Sequence, residues 1–328
     1  MKEKIRVSMG TLRVLGMEIL ETDADPTTAY LQTYEPGRCS QSCGFCAQAK
    51  TSSADTKNIA RGLYPPRDTK EVVERLSKAY KHELLFRACV QTMNYENMLE
   101  DLLYIVKEIR KASDIPVSVS VYPLPEESYR ELRRAGIDKI VIPLDASTEK
   151  IFDKVKGKDA GCDYTWGSHL TSLGDAVRVM GKGNVGTHLI IGLGETEEEA
   201  CGTIQMLAYS GVYPALFAYT PVPETKLIKR APDIGHYRRI QVACHLIASS
   251  ISFYSRMEFA EGRITGFGIR EDYLNAIIES GEPFMTKGCE DCNRPYSTEE
   301  PGGIIYNYPK KPKEKEIDQI KKQVVQGL

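Results

Sequence analysis

No apolar run in this chain approaches the roughly 18 residues that a membrane span needs. None follows the charged start Met1-Lys2-Glu3-Lys4-Ile5-Arg6 as a signal core would. The first absence argues against a membrane partner and the second against export, so the sequence reads as cytoplasmic. Excess charge of one sign is lacking too. The 43 Lys and Arg against 45 Asp and Glu leave a formal −2, and net charge offers nothing for nucleic acid to recognise. There is no internal repeat and no flexible Gly/Ser linker, which argues against solenoids and strings of modules.

What is present is ordinary in bulk. Apolar residues make up 41% and charged residues 27% of 328, as in a soluble globular protein. That length suits one large α/β domain or two small ones, and a core of that size needs no disulfides. The nine cysteines therefore read first as metal ligands or reactive thiols. Five of them fall in two tight groups, at 39–46 and 289–292.

Short β-branched or apolar runs alternate with longer amphipathic ones. Strands are expected at residues 29–34, 83–89, 116–122, 139–144, 185–192, 215–220 and 256–260, with a weaker eighth at 265–268. Helices are expected at 70–80, 96–111, 126–135, 172–180, 197–209 and 236–252. In the second of these, Met98, Leu99, Leu102, Leu103, Ile105 and Val106 form an apolar stripe, with Glu100, Asp101, Lys107 and Glu108 largely opposite. Strands alternating with helices mean βα units on a parallel sheet. Six to eight units favour a (β/α) TIM-type barrel, full or partial, whose chemistry gathers on the loops after the strands. The expected division is an N-terminal extension at 1–27, the barrel at 28–280 and a C-terminal extension at 281–328. The Lys-rich end, 310–328, reads as a surface helix.

Directly after the first expected strand comes Cys39-Ser40-Gln41-Ser42-Cys43-Gly44-Phe45-Cys46, a Cys-x3-Cys-x2-Cys spacing. Three thiolates on one short loop can wrap one corner of an iron–sulfur cube. With only three local ligands, one iron stays open to a chelating small molecule. A structural zinc ion would close with four ligands, usually as two separated pairs, and no second pair or His pair is near. The triplet, the aromatic Phe45 before its last cysteine and its place at the end of a first barrel strand resemble the radical S-adenosylmethionine superfamily. The resemblance implies a 4Fe–4S cluster on Cys39, Cys43 and Cys46. It also implies S-adenosyl-L-methionine on the open iron, cleaved by one electron to a 5′-deoxyadenosyl radical.

Three further segments resemble the biotin synthase-like branch. Ile190-Ile191-Gly192-Leu193-Gly194-Glu195 is similar to its glycine-bearing strand end, which implies that Ile191, Gly192, Gly194 and Glu195 lie along the adenine. The alternative is an ordinary strand-to-helix turn. Pro143-Leu144-Asp145 is similar to its Asn-Leu-Asp, which implies Asp145 on the ribose; the alternative is a helix N-cap. His169 lies where those enzymes carry an Arg for the cofactor carboxylate, or is a plain surface histidine. The loop Tyr219-Thr220-Pro221-Val222-Pro223 also resembles the branch and is expected to border the adenine.

The second group, Lys287-Gly288-Cys289-Glu290-Asp291-Cys292-Asn293-Arg294-Pro295, is a turn that aims two thiols at one metal. Biotin synthases carry a cysteine where Cys89 stands, read as a strand end on the same barrel face as the triplet, but their other two auxiliary cysteines fall near 118–120 and 186–187, where this sequence has none. The expectation is a second 4Fe–4S cluster on Cys89, Cys289 and Cys292, with Ser297, Cys162, a bound thiol or the substrate as fourth ligand. A redox dithiol or a zinc knuckle is the alternative for Cys289 and Cys292, and buried core for Cys89. Cys201 and Cys244, within expected helices, read as core.

A second cluster makes sulfur insertion the expected reaction. The C-terminal motif, continuing through Pro301-Gly302-Gly303 and Tyr306-Asn307-Tyr308-Pro309, resembles components of the two-protein lipoyl synthases. This implies a sulfurtransferase acting on an octanoyl chain held on a lysine of a lipoyl-carrier protein or peptide. Its partners would be a second radical component and an electron donor such as ferredoxin. The alternatives are a mutase or ring-forming enzyme of the methylornithine synthase type, a metallocofactor maturase, or a non-enzymatic metal-binding protein.

Overall fold

The structure, a computed structural model, describes residues 3–299 and 302–325. Met1 and Lys2 of the charged start, Pro301 of the C-terminal motif and residues 326–328 of the Lys-rich end lie outside the described residues. The chain opens with β1 (Lys4–Val7), α1 (Met9–Val14) and β2 (Thr28–Thr33). A small hairpin of β3 (Asn58–Ile59) and β4 (Gly62–Leu63) leads to β5 (Pro66–Asp68) and α2 (Thr69–Lys81). The alternation then runs β6 (Arg87–Gln91), α3 (Met98–Ala112), β7 (Val117–Ser120), α4 (Glu126–Arg134), β8 (Lys139–Val141), α5 (Glu149–Val155), α6 (Trp166–Met180), β9 (Val185–Ile191), α7 (Glu197–Tyr209), β10 (Val212–Ala218) and α8 (Ile234–Ala248). A second hairpin, β11 (Glu258–Ala260) and β12 (Arg263–Gly266), precedes α9 (Glu271–Ser280) and α10 (Glu314–Val325).

Several helices start on a side-chain cap. Asp68, Thr148 and Asp233 accept the N–H three positions on, and Thr165 and Thr196 form capping boxes. Each cap contributes about 1 kcal/mol and fixes where the chain turns from strand to helix.

The main sheet has the order β10-β9-β8-β7-β6-β2-β1-β5. Its neighbours from β2 through β6 to β10 are parallel, while β1 is antiparallel to both β2 and β5. Among the described residues β10 and β5 do not pair, so six parallel strands make a partial barrel. The seventh and eighth strands expected from sequence do not join it. They form the antiparallel hairpin β11–β12. The cause is local: Glu261 and Gly262 both take positive φ, 51° and 78°, as a two-residue hairpin turn requires, and a parallel pair needs a crossover of a dozen residues or more.

Strand alternation separates the two faces. Leu31, Ala88, Val90, Val117, Val119 and Ile140 are fully buried under the helices, against Leu76, Leu102, Ile105 and Leu132. Tyr30, Cys89, Gln91 and Ser120 alternate with them and line an interior cavity. The C-terminal segment is fastened to the outside of this body by Arg238, 1% exposed. It donates to the carbonyls of Ile305 and Tyr306, both at 2.6 Å, and to Gln241 Oε1 at 2.7 Å.

Candidate functional site

The loop after β2 carries the cysteine triplet. Cys39 N–H donates to Gln48 O, Cys46 N–H to Cys43 O, and Gly44 N–H to Val155 O at 2.7 Å. Gln32 of β2 pairs with Gln48 at 2.8 Å, which ties the loop to its strand. All three cysteines are free and half-buried. Burial pushes the Cys46 thiol up to about 11. Cys43 is raised by its hydrogen bond with Cys162 and then by burial. Thiols held protonated in this way release a proton when a metal takes its place.

Cys162, a candidate for the second metal centre, sits here instead. It accepts the Ser42 N–H at 3.2 Å, so it belongs to the triplet's surroundings and not to the C-terminal group.

Asp145 follows the end of β8 with φ 68° and lines the cavity. It is not a helix cap, since Thr148 caps α5. Its carboxylate meets Lys156 Nζ at 2.7 Å. Lys156, 5% exposed, also donates to Pro143 O at 2.5 Å. No sequence signal marks this lysine, which is the first residue past α5. His169 is not a surface histidine. It is fully buried in α6, its Nδ1 bonded to Thr165 O at 3.0 Å. Burial, aided by Lys156, drives its pKa down to about 3. A neutral imidazole offers no charge to a carboxylate, and the buried cation beside the triplet is Lys156.

Gly192 and Gly194 have φ of 104° and 125°, open to glycine and strained for other residues. The N–H groups of Gly192, Leu193 and Gly194 all donate to the Glu195 carboxylate, at 2.6, 3.0 and 3.1 Å, and His236 Nε2 lies 3.4 Å from it. Glu195 therefore holds its own turn. Ile191 is fully buried, and it is Ile190, one residue earlier, that lines the cavity. Tyr219 and Thr220 line it as well, with Tyr219 Oη donating to Leu227 O at 2.6 Å.

The C-terminal pair enters the barrel from the strand-start end. Thr28 Oγ1, at the start of β2, donates to Asp291 O at 3.0 Å. Arg87 Nε, at the start of β6, donates to Glu290 O at 3.2 Å, and Thr27 N–H donates to Asn293 Oδ1 at 3.0 Å. Cys89 lies mid-strand in β6, in register with Tyr30 and Ser118. This corrects the expectation that it ends its strand on the triplet's face: β6 runs on to Gln91, which drops Cys89 below the rim. Burial pushes the Cys89 thiol up to about 12, with Cys289 and Cys292 adding to it. Cys201 and Cys244 are core.

A cavity of ≈ 600 Å³ joins the two groups, with Cys46 and Asp145 among its lining residues at one end and Cys89, Cys289 and Cys292 at the other; Ser297 also lines it, next to Thr298, whose carbonyl accepts from Thr220 Oγ1 past the end of β10.

Residues 36–207 match the family model described as the radical SAM superfamily. The chain belongs to the radical SAM superfamily. Among curated relatives, biotin synthase of Magnetococcus marinus is 27% identical over 52% of this chain and 49% of its own. Biotin synthase of Persephonella marina is 31% identical over 50% of this chain and 45% of its own. This radical SAM chain thus spans about half the length of those relatives. Among solved structures, methylornithine synthase superposes with a TM-score of 0.54 at 11% identity, over 67% of this chain and 62% of its own; this shows a shared fold.

The superfamily implies a 4Fe–4S cluster and S-adenosyl-L-methionine, and the donor set at the triplet fits them: three soft thiols, free of disulfides, on one loop beside the cavity. Among the described residues no His, Cys, Asp or Glu trio is drawn in to the spacing of a single metal ion, unlike a preformed zinc cage. No helix among them is long and apolar enough to cross a membrane.

Proposed function

We propose that this radical SAM enzyme is a sulfur-inserting component of a lipoyl synthase, adding sulfur to an octanoyl chain amide-linked to a lysine of a carrier protein. The supporting observation is the single cavity with Cys46 at one end and Cys89, Cys289 and Cys292 at the other. A substrate carbon lying in it faces both thiol groups at once. That arrangement suits a second 4Fe–4S cluster on the three distal cysteines. The biotin synthases among the relatives support sulfur insertion as the reaction class.

When bound, the proximal cluster and S-adenosylmethionine supply the radical that no side chain can. The chain's own residues position and protect. Val141, Ile190, Ala215 and Phe217 line the cavity between its ends, and suit an alkyl chain. His188 on the same wall is held neutral, its pKa lowered to about 3 by burial and by the charges of Arg294 and Lys156. Asp145 and Lys156 form a buried polar pair beside the triplet, where the polar parts of the cofactor belong. Leu20 and Leu63, both exposed, are among the lining residues and would border the mouth through which a lysyl arm passes. Ferredoxin as electron donor and a second radical component complete the proposed system.

The test is anaerobic reconstitution with iron and sulfide, counting iron in the wild type and in the variant with Cys39, Cys43 and Cys46 changed to Ala. About eight irons falling to about four, with sulfur appearing on an octanoyl-lysyl peptide in the wild type, is the expected result. About four falling to none, with no sulfur gained by the peptide, refutes the reading and favours a single-cluster mutase or ring-forming enzyme.

A further inference from the structure

The geometry points to a hydrogen-bonding shell on the distal sulfurs, made by Tyr213, Tyr30 and Arg294, that raises the reduction potential of the metal centre on Cys89, Cys289 and Cys292. This rests on the reading above that those cysteines hold a second cluster.

Tyr213 Oη lies 3.1 Å from Cys289 Sγ. Its ring occupies space that its neighbour in register, Gly186, leaves open. A Cβ at Gly186 would lie 2.4 Å from the ring, so no other residue type at 186 lets the hydroxyl stand where it does.

Tyr30 Oη lies 3.5 Å from Cys292 Sγ and accepts the Arg294 N–H at 2.6 Å. With that lone pair taken, its own proton is free for the sulfur. Arg294 stacks 3.8 Å over the Phe217 ring and donates through Nη2 to Lys287 O at 2.9 Å. Its Nε is buried with no partner among the described residues. A positive charge is thus held against the Cys292 sulfur.

A thiolate bound to iron can only accept hydrogen bonds. Donors and positive charge at its sulfur stabilise the more negative, reduced state of the centre, which moves the potential upward. At the proximal triplet the Cys46 sulfur meets the backbone N–H groups of Gln48 and Ala49, and the Cys43 sulfur meets the Cys162 thiol.

The experiment uses the full chain with Cys39, Cys43 and Cys46 changed to Ala, so that only distal iron is read. Tyr213→Phe, Tyr30→Phe and the double variant are reconstituted, their iron counted, and their potentials measured by dye-mediated titration followed by electron paramagnetic resonance. The expected result is iron at the parent level, about four per chain, with a more negative potential in each single variant and a larger shift in the double. A residue that only fills space would leave the potential unmoved. Parent-level iron with unchanged potential overturns the shell and leaves the second cluster standing. Iron lost from both single variants with circular dichroism unchanged also overturns it, because the hydroxyls would then serve assembly. No iron in the parent overturns the second cluster and the shell with it.

Discussion

Lys156→Met removes the cation facing Asp145 and leaves a side chain of similar length. The pair is 2.7 Å apart with side chains 7% and 10% exposed, and bulk water reaches it only through the cavity that Asp145 lines. Asp145 cannot swing away. Its N–H donates to His188 O at 2.8 Å and its carbonyl accepts the Ile190 N–H at 2.9 Å, and its φ of 68° already sits in a region few side chains tolerate. Removing one member of a buried pair costs about 3–5 kcal/mol, against less than about 1 for an exposed pair. We expect the cluster-free chain to lose about 3–5 kcal/mol, read as a lower urea midpoint by circular dichroism under reductant. Asp145→Asn keeps a residue that accepts positive φ and leaves Lys156 its bond to Pro143 O and the Tyr164 ring at 5.6 Å. It is expected to cost less. The double variant should then be more stable than the sum of the singles implies, by about 0.5–3 kcal/mol. A Lys156→Met midpoint within about 1 kcal/mol of wild type, or strict additivity in the cycle, would refute the claim that this pair is shielded from bulk water.

His236 gives a pH dependence. Burial alone would lower its pKa, but the Glu195 and Glu197 carboxylates raise it to about 9 from 6.5. A pKa raised on folding contributes stability that is complete below 6.5 and lost as pH rises through 9. Urea unfolding at pH 6 and pH 9.5 should differ by on the order of 3 kcal/mol at most from this group. The difference should shrink in His236→Gln; an identical pH profile in the variant would sink the idea. Arg238→Met should release the C-terminal segment, since the guanidinium holds the carbonyls of Ile305 and Tyr306. Limited proteolysis should cut beyond Phe284 while the barrel stays intact, and equal cleavage rates would refute it.

Much of the fold is legible in the sequence where the signal is local. The expected helix at 197–209 coincides with α7, because Thr196 and Glu199 form a capping box that marks its start. The helix expected at 172–180 begins six residues earlier, at Trp166, on the Thr165 capping box; Thr165 and Ser168 carry the signal that would have placed it. Asp101, read as solvent-facing on α3, is buried at 5%, because Tyr95 Oη donates to its carboxylate at 3.0 Å. No hydrophobic pattern reports such a partner. β1 carries no periodic signal, because its four residues are too few for an alternation to stand out.

By itself the sequence determined what chain connectivity controls. Three thiols within eight positions must share one loop, a run of strands alternating with long helices favours parallel neighbours, and a Cys-x2-Cys turn must aim two sulfurs together. Only the tertiary structure decided how distant segments meet. Cys89 joins a pair 200 positions later because β6 extends past it and the C-terminal turn is stitched to the starts of β2 and β6. Tyr213 reaches Cys289 because its register partner is a glycine. Lys156 becomes the buried cation at the triplet because α5 ends against Asp145. Each of these depends on register and on which end of a strand faces which loop, and a side chain's neighbours across a sheet are not written in the spacing of its own segment.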